Sequence, residues 1–462
     1  MSSSKKKSLK RFMNPPQLID KYLKNFASVD RPLHCGDLTG VDTVVVIPAY
    51  AEKDHLFLTL CSLAHNDPGR LDRTLVICVV NNKTDSGADD RENNQDTLAI
   101  LDALTRKKAM PQSDASRKQA QVLDVISTSR LRIAYIDASS PGWEIPAKEG
   151  GVGMARKIGM DRALSILRNV HPRTGLIVCL DADTLVEKNY LAAVRSHFTR
   201  KIKTAVVDYA HRLPEDPATA RAICAYEIYL RSYVLGLKWA GSPYAYSAIG
   251  STMAVSAEAY LAVRGMNRRA AGEDFYFLNK LAKLAPIACI RQTRVYPSAR
   301  ISKRVPFGTG AAVNQYLSLG PSDFGLYDPR IFQILSNWLG LMRECPDASP
   351  QRILSCARTI HDELETFLRQ RGFADVWEKI RQNVREKKDL PAHFHIWFDG
   401  FETLKLINYL TRVAYPKVEP GRALAAKYEA LHLAIPDEIG QMSSPASDAQ
   451  WLAVLNSLRS VT

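Results

Sequence analysis

The 462-residue chain carries 62 Lys and Arg against 48 Asp and Glu, a formal charge of +14, with 46% apolar and 24% charged residues. That is an ordinary globular composition, which excludes a disordered chain and provides for one large domain with a smaller one, or two to three small ones. The positive balance favours an anionic partner, whether phosphate groups, nucleic acid or an acidic membrane surface, without choosing among them.

The N-terminal stretch 1–40 holds eight Lys/Arg against three Asp/Glu and reads as a basic arm, either solvated or resting on an anionic membrane face. No apolar segment follows its lysines, so it does not read as a secretory signal. No run approaches the roughly 18 apolar residues of a membrane span. The eight cysteines include no CxxC pair, which points to a reducing compartment and away from a zinc ribbon. The expected setting is therefore cytoplasmic, with peripheral contact at the inner membrane face as an option.

From residue 43 short apolar runs alternate with helical ones. TVVVIP (43–48) and TLVICVV (74–80) read as strands buried on both faces, and Leu56, Leu60 and Leu63 between them lie at helical spacing. The polar stretch 82–130 reads as a loop, a short helix and an insertion. Further strands are expected at 131–138, 176–180 and 204–210, with helices over 154–167 and 187–198. This succession predicts a parallel sheet covered on both faces. Beyond about 325 the period is helical throughout, and Trp338, Trp377, Trp397 and Trp451 fall on apolar stripes. His393 and His395 read as residues packed between helices. The expected division is a basic arm (1–40), an α/β domain (41–310) and a helical C-terminal region (311–462).

In open parallel sheets, ligands bind beyond the carboxyl ends of the strands. At one such end, LIVCLDADT places Asp181 and Asp183 one residue apart. Two carboxylates so close repel unless a cation relieves them, although a turn leading into a helix cap also explains the pattern. The first strand exits through Pro48, Tyr50 and Glu52, where Pro48 is expected to end pairing and Tyr50 offers a ring for stacking on a base. Asn81 and Asn82 follow the second strand and suit hydrogen bonds to a base edge, or plain turn chemistry. GGVGMARKIGM sets Arg156 and Lys157 near a helix start, where glycines permit close backbone approach and cations suit a diphosphate. AGEDFYF opens a helix with Glu273 and Asp274, either dipole partners or a general base. Arg300, Lys303 and Arg304 form a candidate anion clamp, and His211 follows a strand on what reads as the acceptor side.

In order, VVVIPAYAE, VICVVNN, GVGMARKIGMDRAL, LIVCLDADT and AGEDFYF resemble a family 2 glycosyltransferase of the GT-A fold, over roughly 43–310. The resemblance implies that Pro48, Tyr50, Glu52 and Asn81 serve the nucleotide and that Arg156 lies beside the diphosphate. It assigns Asp181 and Asp183 to a Mn2+ or Mg2+ ion and the donor ribose, and Asp274 to the base with Glu273 beside it. It implies a UDP- or GDP-sugar donor, a saccharide or lipid-linked acceptor, no nucleic acid, and direct displacement with inversion. Two departures stand out: Asn81 occupies a place where an aspartate is usual, and SARISKR replaces the QxxRW of processive members. A non-processive hexosyltransferase is expected. The alternatives are a non-catalytic binder of nucleotide sugars or membrane surfaces, and a sugar-1-phosphate nucleotidyltransferase; the latter lacks its glycine-rich loop here.

Overall fold

The computed structural model describes residues 15–108, 117–169, 174–199, 201–269, 271–300, 309–319, 325–441 and 447–462. In chain order the elements begin with α1 (Pro15–Asn25), β1 (Leu33–Cys35), β2 (Thr43–Ala49), α2 (Lys53–Ala64), α3 (Pro68–Leu71) and β3 (Thr74–Asn81). They continue with α4 (Ala88–Arg106), α5 (Arg117–Thr128), β4 (Arg132–Ala138), α6 (Val152–Ile166), β5 (Leu176–Cys179), β6 (Leu185–Val186) and α7 (Tyr190–His197). Next come β7 (Thr204–Tyr209), α8 (Pro217–Trp239), β8 (Met253–Ser256), α9 (Ala257–Ala262), α10 (Glu273–Ala282), β9 (Ala288–Tyr296) and α11 (Thr309–Leu319). The helices α12 (Pro329–Glu344), α13 (Pro350–Ile360), α14 (Asp362–Gln370), α15 (Phe373–Asn383) and α16 (Leu390–Trp397) follow. The series closes with α17 (Gly400–Val413), α18 (Pro420–Ala430), α19 (Asp437–Gly440) and α20 (Asp448–Val461). Two compact units emerge, one running to Thr204 and including Met253–Glu273, the other formed by Ala205–Thr252 and Asp274–Thr462.

In the first unit the strand order is β1-β4-β3-β2-β5-β8. β4, β3, β2 and β5 run parallel, with Val46 level with both Ile77 and Cys179. β1 pairs antiparallel with β4, and β8 with β5. β2 and β3 are buried at every position, the mark of a sheet covered on both faces. Because four neighbours share one direction, their carboxyl ends at Ala49, Asn81, Ala138 and Cys179 align along one edge. The α/β expectation, with mostly parallel strands and a helical C-terminal region, is borne out.

Three expectations fail in detail. Pro48 does not end pairing; it stays level with Val79, and β2 runs on to Ala49. β5 pairs only as far as Cys179, so the missing Pro48 N–H costs no ladder bond on that side. The stretch 82–130 is more ordered than its polarity suggests, with nineteen residues in α4 and twelve in α5. Residues 15–35 of the basic arm are folded into the first unit, β1 pairing with β4 and the Tyr22 hydroxyl donating to Asp161.

The second unit pairs β7 with β9 in parallel, irregular between Val207 and Asp208. Its long helix α8 packs against α11, α12, α18 and α20. The main helical core centres on Trp338, whose ring meets Phe373, Phe394 and Phe398 edge-on at 5.6, 5.4 and 5.9 Å. Trp377 and Trp451 are buried as expected and Trp397 is partly so, but His393 is exposed. All eight cysteines are free thiols. Among the described residues, no helix is long and apolar enough to cross a membrane.

Candidate active site

The edge built by β2 and β3 is organised by a residue that sequence reading passed over. Asn94 of α4 is fully buried; its Nδ2 donates to the Asn81 carbonyl and to Asn82 Oδ1, each at 3.1 Å. Its Oδ1 accepts from the Ala51 N–H at 3.0 Å, holding Ala51 at a left-handed φ of 51° just past the β2 exit. A side-chain amide can satisfy both strand exits because it both donates and accepts. Tyr50 turns its hydroxyl to α4, donating to Asp90 Oδ2 at 2.5 Å with Ser86 Oγ at 3.1 Å. Glu52 is buried, and its carbonyl accepts the N–H groups of His55 and Leu56 in the first turn of α2. With its amide nitrogen facing the strand carbonyls, Asn81 donates to Ala49 and Val79 at 3.2 and 3.3 Å.

The helix α6 is seated by its glycines. A Cβ on Gly153 would lie 2.3 Å from the Arg269 carbonyl, and one on Gly159 would lie 2.4 Å from Val46 Cγ1. This close approach sinks the Arg156 side chain into the unit, 4% exposed, where Nη1 pairs with Glu273 and Nη2 with Asp181. A buried guanidinium persists only when paired, and its planar fork suits two carboxylates at once. Arg156 thus joins the acid at the end of β5 to the first residue of α10. Lys157 faces elsewhere, pairing with fully buried Asp161 at 2.8 Å. Asp161 also accepts from the hydroxyls of Tyr22 and Tyr260 at 2.6 and 2.7 Å and from the Ser28 N–H at 2.8 Å. This cluster fastens α1 and α9 to α6. Burial and the Asp161 charge together push the Tyr22 hydroxyl far above its ordinary value.

The turn bearing Asp181 and Asp183 is pinned from α2. Thr59 Oγ1 donates to the Ala182 carbonyl at 2.8 Å, and the Val186 N–H donates to Ser62 Oγ at 3.2 Å. Both aspartates remain half-buried. Among the described residues no three His, Cys, Asp or Glu side chains gather as a closed metal cage. Arg156 already relieves the charge of Asp181, and carboxylate oxygens such as those of Asp181 and Asp183 are the ligand type that a hard divalent cation takes one or two of, completing its shell with phosphate.

In the second unit, Asp274 is the second residue of α10 and its Oδ1 accepts from the Phe275 N–H at 2.7 Å. Burial first, then the Asp274 charge, raise the Tyr226 hydroxyl to about 12. His211 is buried; its Nδ1 lies 2.9 Å from Glu227 Oε2 and its Nε2 lies 3.4 Å from Thr309 Oγ1. Arg231 and Arg459 also donate to Glu227, and despite burial these partners with His211 hold its carboxyl well below the usual range. The Arg300 N–H donates to Ser298 Oγ at 3.4 Å, while Lys303 and Arg304 lie outside the described residues.

Residues 176–323 match the family model of the glycosyl transferase family group 2. That match bears out both the family resemblance and the enzyme class read from the motifs. No curated protein matches the chain in sequence. Among solved structures, S. aureus TarS 1–349 is 11% identical with a TM-score of 0.31, covering 91% of this chain and 92% of that one. The mannosyltransferase PcManGT from Pyrobaculum calidifontis, in complex with GDP-Man and Mn2+, is 14% identical with a TM-score of 0.33, covering 80% and 96%. M. tuberculosis glucosyl-3-phosphoglycerate synthase is 14% identical with a TM-score of 0.30, covering 68% and 86%. These structural likenesses carry no argument, and the family match covers residues 176–323, under half of the chain.

Proposed function

We propose that this protein is a non-processive, inverting glycosyltransferase that moves a hexose from a nucleotide-diphosphate donor to an acceptor hydroxyl. The observation that carries the reading is the Arg156 bridge, which ties the DxD acid Asp181 to Glu273, the residue beside Asp274. The bridge brings two acidic motifs 92 residues apart to one guanidinium, the arrangement expected if both face the same substrate.

Asp183, with Asp181, is the proposed holder of a Mg2+ or Mn2+ ion, which when bound acts as a Lewis acid on the departing diphosphate. Arg156 holds Asp181, and the half-buried Asp183 is the proposed donor-side acid. Tyr50, Glu52 and Asn81, set along the same strand edge, serve the nucleoside. Asp274 takes the proton of the acceptor hydroxyl as that oxygen attacks the anomeric carbon and the diphosphate leaves. The site is proposed to work in the cytoplasm, with the positive charge available to an anionic membrane face or lipid-linked acceptor.

A thermal-shift screen of UDP- and GDP-sugars with and without Mn2+ tests the reading. A donor at about 100 times its Kd stabilises the fold by about 2.7 kcal/mol. The shift is expected to require the metal and to vanish in Asp183→Ala. A shift that ignores both the metal and that substitution would remove the basis for this donor site.

A further inference from the structure

We infer that Asp399, in the C-terminal helical region, is a positioning residue for the helix that carries Asp274; the inference rests on the proposed role of Asp274 as base. Asp399 precedes α17, and its Oδ1 caps that helix by accepting the N–H groups of Phe401 and Glu402 at 2.9 and 3.2 Å. Its other oxygen reaches α10. Oδ2 accepts from Asn279 Nδ2 at 2.9 Å and pairs with Lys283 Nζ at 2.6 Å. Asn279, itself buried, answers with its Oδ1, which accepts the Gly400 N–H at 3.0 Å.

The contact continues toward the start of α10. The Phe401 ring lies 4.6 Å from Phe275, edge-on, and 4.0 Å from Tyr276. Positions 275, 276 and 279 share one helical face and Lys283 follows the last turn, so residues 399–401 at the start of α17 touch α10 from its first turn to just past its end. Gly400 suits that grip: a Cβ there would crowd Asn279 Oδ1 at 3.0 Å and Tyr244 Cδ1 at 3.4 Å. Two polar bonds, an ion pair and two ring contacts fix both the rotation and the axial position of α10. Asp274, in its first turn, is fixed with them. Displacing a reacting group by about 1 Å can cost on the order of 100-fold in rate. The match to the family model ends at residue 323, so this brace lies wholly outside the matched segment on the α17 side.

The test uses the full chain as Asp399→Ala, Asp399→Asn, Asn279→Ala and Asp274→Asn. One readout is nucleoside diphosphate release from UDP-glucose, UDP-N-acetylglucosamine and GDP-mannose with water as acceptor. The other is hydrogen–deuterium exchange over 274–282. Asp399→Ala is expected to lower kcat at least tenfold with the donor KM within twofold, and to speed exchange at 274–282 while 152–166 stays unchanged. Asn is a competent cap, so Asp399→Asn keeps α17 and falls between wild type and Asp399→Ala. Asn279→Ala leaves the cap and the ion pair intact and is expected to repeat the kcat effect if Asp399→Ala does not fold. The brace is overturned if Asp399→Ala or, failing it, Asn279→Ala keeps both kcat and exchange at wild-type values. Turnover by Asp274→Asn sinks the base assignment instead. In that case, or if no donor is hydrolysed, the exchange at 274–282 alone decides the brace.

Discussion

Arg156 is the residue that balances the buried charge of the first unit's acidic motifs. Glu273 is 3% exposed and Asp181 32%, so the guanidinium neutralises one carboxylate that water cannot reach and one that it partly can. Arg156→Met is expected to cost about 3–5 kcal/mol, because it strands the buried Glu273 charge. Adding Glu273→Gln to that variant is expected to restore part of the loss. Urea unfolding of the two variants checks this; equal stabilities for both would mean that Glu273 is not the stranded charge. The sequence exposed Arg156, Asp181 and Glu273 as separate candidates. Their union was not legible, since no periodicity links positions 25 and 117 residues apart.

Among the elements, α18 carries a liability of the opposite kind. Lys427 is fully buried, its Nζ donating to Ser232 Oγ at 2.6 Å and standing 4.7 Å from the Phe332 ring centre. Burial lowers it from 10.5 to about 7, with only the more distant Asp328 charge opposing. Between those two values the unfolded chain holds the proton and the folded chain does not. Folding stability therefore rises with pH across that window and is lost as pH falls toward 7, with a slope of at most about 1.4 kcal/mol per pH unit. Lys427→Met is expected to flatten that slope and to raise stability near neutral pH, as measured by urea unfolding at pH 7, 8.5 and 10. An unchanged slope would place the proton elsewhere. The element least legible in the sequence was α4. Its buried face includes Asn94 and Thr97 beside Leu98, Ile100, Leu101 and Ala103, so a third of the stripe is polar and the apolar period is masked. β2 and β3 were legible for the converse reason: burial on both faces leaves unbroken apolar runs.

Across the whole molecule, the family match stops at residue 323, yet the second unit does not. Ile228, Leu235 and Leu237 of α8 are buried against clusters drawn from α12, α17, α18 and α20. A chain ended at residue 324 exposes that face and is expected to be insoluble, or to unfold without a cooperative transition. A soluble, cooperatively melting truncation would show that α8 needs no C-terminal partner. Such a large buried face on one helix cannot be left to water at about 25 cal/mol per Å2 of apolar area.

The sequence by itself determined the parallel strands, the order of the motifs along the chain and the helical character of the region beyond 325. Those features are written in local hydrophobic period and in residue type, which neighbours along the chain suffice to express. Only the tertiary structure decided that Lys157 serves Asp161, that Asn94 closes two strand exits, that Arg156 unites two motifs and that Asp399 grips α10. Each of these is a polar bond between distant segments, and its energy depends on burial and direction, which exist only once the chain has folded.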